Sequence, residues 1–286
     1  MDLANYAPDS VTISERYLPM SDGVELRVFD FVPADDDAAK PVVVFVAGWI
    51  SLISGWQGFL RRLTETHRVL YVETREKFSS RVTDMKNTDF DLPRLILDVR
   101  EVLEQGVEPG RDFVLSGSSL GATAIMEYLM TQEGPEPLGN ALIAPNPELR
   151  FPAPIMAIIK LFPPRAYAPV REFAKWYLRT FRLDPKKEPE QVEKYENTLD
   201  QADPYKLKKN VFALMRYRAW GRMHDIVQDC LIIGASADKL HGLENLERML
   251  AEMPKAKLEA MESNKATHGA GAADLVTAYV DELLKS

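Results

Sequence analysis

FVLSGSSLGATAIM, residues 113–126, changes character at its midpoint. Strand-forming residues lead into a knot of Gly and Ser, and helix-formers follow. Within it Gly117, Ser119 and Gly121 satisfy the spacing G-x-S-x-G, a match too short to carry a conclusion alone. Its meaning depends on whether the chain around it builds a strand that ends, and a helix that starts, at that serine.

Working outward, the flanks supply both. Upstream, PVVVFVAG at 41–48 is rich in β-branched residues and bounded by Pro41 and Gly48, which predicts a buried central strand. Residues 24–31 alternate well enough for an earlier strand, and DDDAA at 35–39 is a polar turn. Trp56, Phe59, Leu60 and Leu63 recur at helical spacing, and RVLYV at 68–72 is another short buried strand. Leu92, Leu95, Ile96, Val99, Val102 and Leu103 form the apolar stripe of a helix. Residues 113–116 then form a strand and 122–130 a helix. NALIA at 140–144, CLII at 230–233 and AKLEAM at 256–261 are further strands, and Leu275, Val276, Tyr279 and Leu283 mark a closing helix. Alternating strands and amphipathic helices place the chain in the α/β class, with a mostly parallel central sheet and helices on both faces.

One interval breaks the alternation. Residues 147–222 contain no convincing strand and read as an all-helical cap insertion between a first core part, 1–146, and a second, 223–286. One of its helices carries Val170, Phe173, Ala174, Tyr177, Leu178 and Phe181 on a single face, and another runs through Val211, Leu214, Met215 and Arg218. Its aromatics and methionines, among them Met156, Phe162, Trp176, Tyr177, Phe181, Phe212, Met215 and Trp220, are expected mostly to pack, a few lining a pocket. FPAPIMAIIKLFPP at 151–164 suits a lid or core better than membrane contact.

Composition narrows the function classes. The chain has 286 residues, 46% hydrophobic, with net charge −8. A phosphate-neutralising surface over the whole protein is therefore not expected, and no P-loop, zinc-finger or RNA-binding signature appears. The insertion differs: 16 Lys and Arg against 9 Asp and Glu give it a balance of +7. The single cysteine, Cys230, excludes an internal disulfide and any multi-cysteine metal site, which fits a reducing compartment. Neither the start, MDLANYAPDSVTISERY, nor the apolar run at 41–56 reads as a signal peptide or a membrane span. A cytoplasmic location without membrane insertion is the expectation.

In such a sheet, ligands bind at the carboxyl ends of the strands, where Ser119 stands. Glycines at 117 and 121 remove β-carbons from a tight, strained turn, and the helix opening at Leu120 points a backbone N–H at any oxyanion formed beside the serine. At this point the chain resembles the alpha/beta-hydrolase superfamily, over most of its length outside the insertion. The resemblance implies a nucleophilic serine, an acid after a later strand and a histidine after the last one, in that order. Ser119, Asp238 in GASADKLHG and His268 in ESNKATHGAG occupy those places. Of the other histidines, His67 precedes a buried strand, His224 ends the insertion, and His241 shares the Asp238 loop. Asp225 and Asp229 precede their strand, at the wrong end for catalysis.

The resemblance also implies an oxyanion hole made by the N–H of Leu120 and a second N–H after the third strand, that of Trp49 first and Ile50 second. Ala47 and Gly48 stand where many relatives carry His-Gly or a longer glycine run, which disfavours that lipase and esterase branch. A serine at 119 likewise argues against the epoxide hydrolases and haloalkane dehalogenases of this fold, which use a carboxylate there. The implied activity is hydrolysis of a small carboxylic ester with an apolar part, without cofactor, metal or nucleic acid. Thioesters, lactones and carbon-carbon bonds stay open as substrates, as does a non-catalytic ligand-binding role. The charge run Glu73, Thr74, Arg75, Glu76, Lys77 reads as a solvated or mutually paired face with no catalytic part.

Overall fold

The computed structural model describes residues 3–149, 153–161, 163–182, 189–236 and 243–285. Eight strands form one sheet: β1 (Val11–Pro19), β2 (Glu25–Pro33), β3 (Val42–Val46), β4 (Val69–Val72), β5 (Phe113–Ser118), β6 (Gly139–Ile143), β7 (Cys230–Ala235) and β8 (Ala256–Met261). Their spatial order is β1-β2-β4-β3-β5-β6-β7-β8. The pairs of β2 with β1 and β4 are antiparallel, and every later pair is parallel.

The period-two geometry of a strand divides its side chains between two cores. From β3, Val42, Val44 and Val46 enter one, and Val43 and Phe45 enter the other. The first core is closed by α2 (Leu92–Gly106), α3 (Leu120–Thr131) and α8 (Leu243–Glu252), through residues such as Leu95, Val99, Ile125, Met126, Leu246 and Met249. The second is closed by α1 (Gln57–Leu63) and α9 (Ala270–Leu283), through Phe59, Leu60, Leu63, Val276 and Tyr279. A strand with both faces covered has no solvent side, so all five residues of β3 are buried.

Between β6 and β7 lie α4 (Ala153–Leu161), α5 (Tyr167–Tyr177), α6 (Pro189–Gln201) and α7 (Pro204–Leu214). The described residues of this stretch hold no strand of the sheet, only an isolated bridge between Glu148 and Arg218. Asp203 starts α7 by accepting from the N–H groups of Tyr205 and Lys206, with Pro204 in the first turn. The helix ends at Leu214, short of the Met215 and Arg218 expected in it. Asn210 Nδ2 donates to the Phe90 carbonyl (2.8 Å) and ties α7 to the core.

The aromatic face of α5 departs from expectation. Phe173 and Trp176, with Phe181 just beyond the helix, are 40%, 51% and 58% exposed and meet one another at tilted and edge-to-face angles. They pack among themselves rather than into a core. Among the described residues no helix is long and apolar enough to cross a membrane.

Candidate active site

Ser119 joins β5 to α3 with φ 48° and ψ −113°, a left-handed conformation that an L-residue holds only when its surroundings impose it. The glycines flanking it are steric necessities. A β-carbon on Gly121 would sit 2.1 Å from the Val46 carbonyl oxygen, and one on Gly117 would lie 2.9 Å from the same atom. The Ser119 N–H donates to the Ile143 carbonyl (2.9 Å), which locks the elbow to β6. The residue is partly exposed, and its Oγ accepts from Asn146 Nδ2 at 3.1 Å. Asn146 sits just beyond β6, and its own N–H donates to Thr123 Oγ1 in the first turn of α3 (3.3 Å). The sequence reading missed Asn146; the available signal was a polar residue at the carboxyl end of a parallel strand, beside the serine's strand.

His268 closes a short 3-10 turn, Ala266–His268, beyond β8. Its Nδ1 lies 2.8 Å from the Asn264 carbonyl oxygen. A carbonyl only accepts, so in the neutral ring this nitrogen carries the proton and Nε2 is left as the acceptor. The imidazole lies against the fully buried indole of Trp56, ring centroids 4.1 Å apart. Trp56 Nε1 in turn donates to Ser51 Oγ (3.1 Å). One indole thus orients the imidazole and reaches the turn beside Ser119. Asp238, and His241 with it, lie outside the described residues.

That turn is Gly48–Ser51, closed by the Ser51 N–H on the Gly48 carbonyl (3.0 Å). It passes so near the elbow that a β-carbon on Gly48 would lie 3.4 Å from Ser119 Cβ. Ile50 adopts φ 46°, which a β-branched side chain strongly disfavours. Two side chains hold it there. Lys77 Nζ donates to the Gly48 carbonyl (2.7 Å), and Glu76 Oε1 accepts the Ile50 N–H (3.1 Å). Thr74 bridges them, donating to Glu76 (2.7 Å) and accepting from Lys77 (3.1 Å). The Ile50 N–H, the second of the two expected oxyanion donors, is therefore already engaged by a carboxylate.

The run 73–77 is accordingly not the solvated face that its composition suggested. Glu73, Arg75, Glu76 and Lys77 are all at most 2% exposed. Arg75 forms a two-pronged bond to Asp98 (2.6 Å each) and also reaches Asp22 (2.7 Å), partners too distant in sequence for a local pattern to reveal. The ion pairs found here run from the segment to Asp98, Asp22 and Arg27 rather than between its own charges. Burial lowers the affinity of the Lys77 ammonium for its proton, against the opposing pull of Glu76 and Glu73. Lys206 of α7 is buried as well, and its Nζ donates to the carbonyls of Lys77 (2.8 Å) and Ser80 (2.6 Å).

Ser119, Leu120, Trp49, Ile50 and His268 thus all stand at the carboxyl edge of the parallel strands β3, β5 and β8. The described residues contain no group of three His, Cys, Asp or Glu able to hold a metal ion.

Comparison with known proteins agrees with this layout. Residues 43–277 match the model of the "Alpha/beta hydrolase family". Among solved structures, an esterase from Exiguobacterium antarcticum superposes with a TM-score of 0.74 at 18% identity, over 94% of this chain and 100% of that one. The enol-lactonase from Burkholderia xenovorans LB400 gives 0.73 at 16%, over 95% and 100%. A bromoperoxidase from Bacillus anthracis gives 0.72 at 16%, over 96% and 100%. At such identities the likeness is one of fold. No curated protein matches the sequence significantly.

Proposed function

Because the chain belongs to the alpha/beta hydrolase family, we propose that it is a serine hydrolase cleaving small carboxylic esters with an apolar acyl or alcohol part. Ser119 is the nucleophile, His268 the general base and Asp238 the acid that steadies the imidazolium. The observation that carries this reading is the strained backbone of Ser119, a partly exposed residue held at φ 48° at the strand end. Strain of that kind persists only where the surrounding structure enforces it, and it clusters at functional sites.

The steps follow from the chemistry of the groups. Nε2 of His268 takes the Ser119 proton as Oγ attacks the ester carbonyl. The oxyanion of the tetrahedral intermediate is held by the N–H groups of Leu120 and Trp49. The imidazolium returns the proton to the departing alcohol, leaving an acyl-enzyme, and water repeats the sequence to release the acid. In this scheme residues 147–222 form a cap over the site, shedding water and favouring an apolar substrate. The scheme needs neither metal nor cofactor, and a cytoplasmic setting suits the single buried thiol of Cys230. Thioesters and lactones are open to the same groups.

The test is covalent labelling with a fluorophosphonate, read by intact mass and peptide mapping, beside a Ser119→Ala control and a chain-length series of p-nitrophenyl esters. Labelling at Ser119 with turnover of short or medium chains is the expected result. A folded protein that neither labels nor turns over any ester would instead be a binding protein of the same fold.

A further inference from the structure

Most cations on the helices between β6 and β7 are engaged. Lys175 is paired with Asp200 at 2.6 Å, Arg179 with Glu196, and Lys206 and Lys209 donate to backbone carbonyls. Lys194, in α6, is different. Its side chain runs inward across Gly55, so closely that a β-carbon there would lie 2.5 Å from Cε and 3.1 Å from Nζ. The ammonium ends 5.8 Å from the ring centroid of Trp56, the indole on which His268 lies. Among the described residues it makes no hydrogen bond or ion pair; its one polar contact is with that ring.

A partly desolvated ammonium without a counter-ion is an expensive thing to keep. Burial alone lowers the Lys194 pKa to about 8, with no carboxylate opposing it. The 3-10 turn Ile53–Trp56 that faces it carries no charged side chain. On its own helix Glu196 is taken by Arg179, and Glu193 is exposed. Water alone would satisfy this group better at the surface, where a long flexible lysine could swing. Held one indole away from the imidazole, it is complementary to an anion that arrives with the substrate.

We propose that Lys194 is the anion-binding side chain of the substrate site, and that the substrate is an ester carrying a carboxylate at its end nearest α6. This rests on the hydrolase reading and sharpens it. A single ammonium suits the one charge of a carboxylate. The excess of positive charge over residues 147–222 would also raise the encounter rate of such a substrate.

The experiment compares mono-p-nitrophenyl esters of succinate, glutarate and adipate with p-nitrophenyl esters of equal length ending in methyl, and takes the ratio of kcat/KM, anionic over neutral. The wild type is expected to favour one anionic length. Lys194→Met should lower that ratio roughly 10- to 100-fold, the usual worth of a hydrogen bond to a charged group. Lys194→Arg should retain most of it. Because both substrates share the Ser119 and His268 chemistry, the ratio cancels their common ionisation. It should fall as pH rises through about 8, where the ammonium loses its proton.

A ratio unmoved by Lys194→Met, or lost equally in the Arg variant, would overturn the proposal. Binding of monoethyl glutarate to Ser119→Ala, followed by calorimetry with and without Lys194→Met, separates the two readings. Lys194-dependent binding by a wild type that hydrolyses no ester would sink the hydrolase and keep the anion site. Binding indifferent to Lys194 would sink the anion site whatever the turnover.

Discussion

The buried ammonium of Lys77 donates to the Gly48 carbonyl over 2.7 Å, while the neighbouring Glu76 accepts the Ile50 N–H of the same turn. A carboxylate and an ammonium adjacent in sequence thus grip a strained turn beside Ser119. The Gly48 carbonyl that Lys77 holds belongs to the same peptide as the Trp49 N–H.

If that grip aims the N–H, loosening it should affect turnover more than substrate binding. Lys77→Met is expected to lower kcat by about 10- to 100-fold with little change in KM, short of the roughly 100- to 1,000-fold seen when an oxyanion donor is removed outright. Since the variant also strips a buried ion of its neighbour, a stability loss of about 3 kcal/mol or more is expected. Glu76→Gln, which keeps an acceptor for the Ile50 N–H, should fold well and lose no more than about tenfold in kcat. Steady-state kinetics on ester substrates decide; an unchanged kcat in folded Lys77→Met would show the turn to be rigid without it.

The backbone at position 119 yields a prediction that needs no activity. Alanine and glycine there both lose the Oγ contact with Asn146, but only glycine relieves φ 48°. Relief of about 1 to 3 kcal/mol, less the 0.5 to 1 kcal/mol that glycine costs in entropy, should leave Ser119→Gly about 1 kcal/mol more stable than Ser119→Ala. Calorimetry should show a melting temperature higher by a few degrees. Equal stability would mean that the elbow stores little strain.

Two glycines should respond oppositely to one added methyl group. At Gly121 the new carbon would meet the Val46 carbonyl at 2.1 Å, so Gly121→Ala must displace β3 and is expected to cost about 3 kcal/mol or more. At Gly58, in α1, the nearest atom outside the helix would be 3.8 Å away. Gly58→Ala should gain up to about 1 kcal/mol from helix propensity. Denaturant titration of the pair measures both.

His67 supplies a pH dependence. It is buried, neither ring nitrogen has a partner among the described residues, and burial lowers its pKa below the ordinary 6.5, opposed in part by Asp281. The unfolded chain therefore binds a proton at a higher pH than the folded one. Stability is complete above about pH 6.5 and declines as pH falls below it. His67→Phe should flatten the stability profile between about pH 7 and pH 5, as read by urea titration at each pH. An unchanged slope would assign the acid sensitivity to the carboxylates instead.

Much of the architecture could be read without coordinates because its signals are local. The run at 42–46 and the glycine-flanked elbow carry their burial in their composition, and both stand where expected. β1 was not anticipated: TISERY is polar along most of its length, since an edge strand with seven of its nine residues at least partly solvated needs no apolar alternation. The helices α6 and α8 also escaped notice.

What the sequence determined by itself was the alternation of strands and helices that builds the covered parallel sheet, and the placing of Ser119 and His268 in loops at its carboxyl edge. These follow from periodicity and turn chemistry, which act over a few residues. Only the tertiary structure decided that Glu76 and Lys77 are buried against a turn 26 and 29 residues away, that Asn146 meets Ser119, and that Lys194 reaches Trp56. Such contacts join segments that are remote in the chain, and a charge is solvated or buried according to what the fold brings over it. No local pattern carries that information.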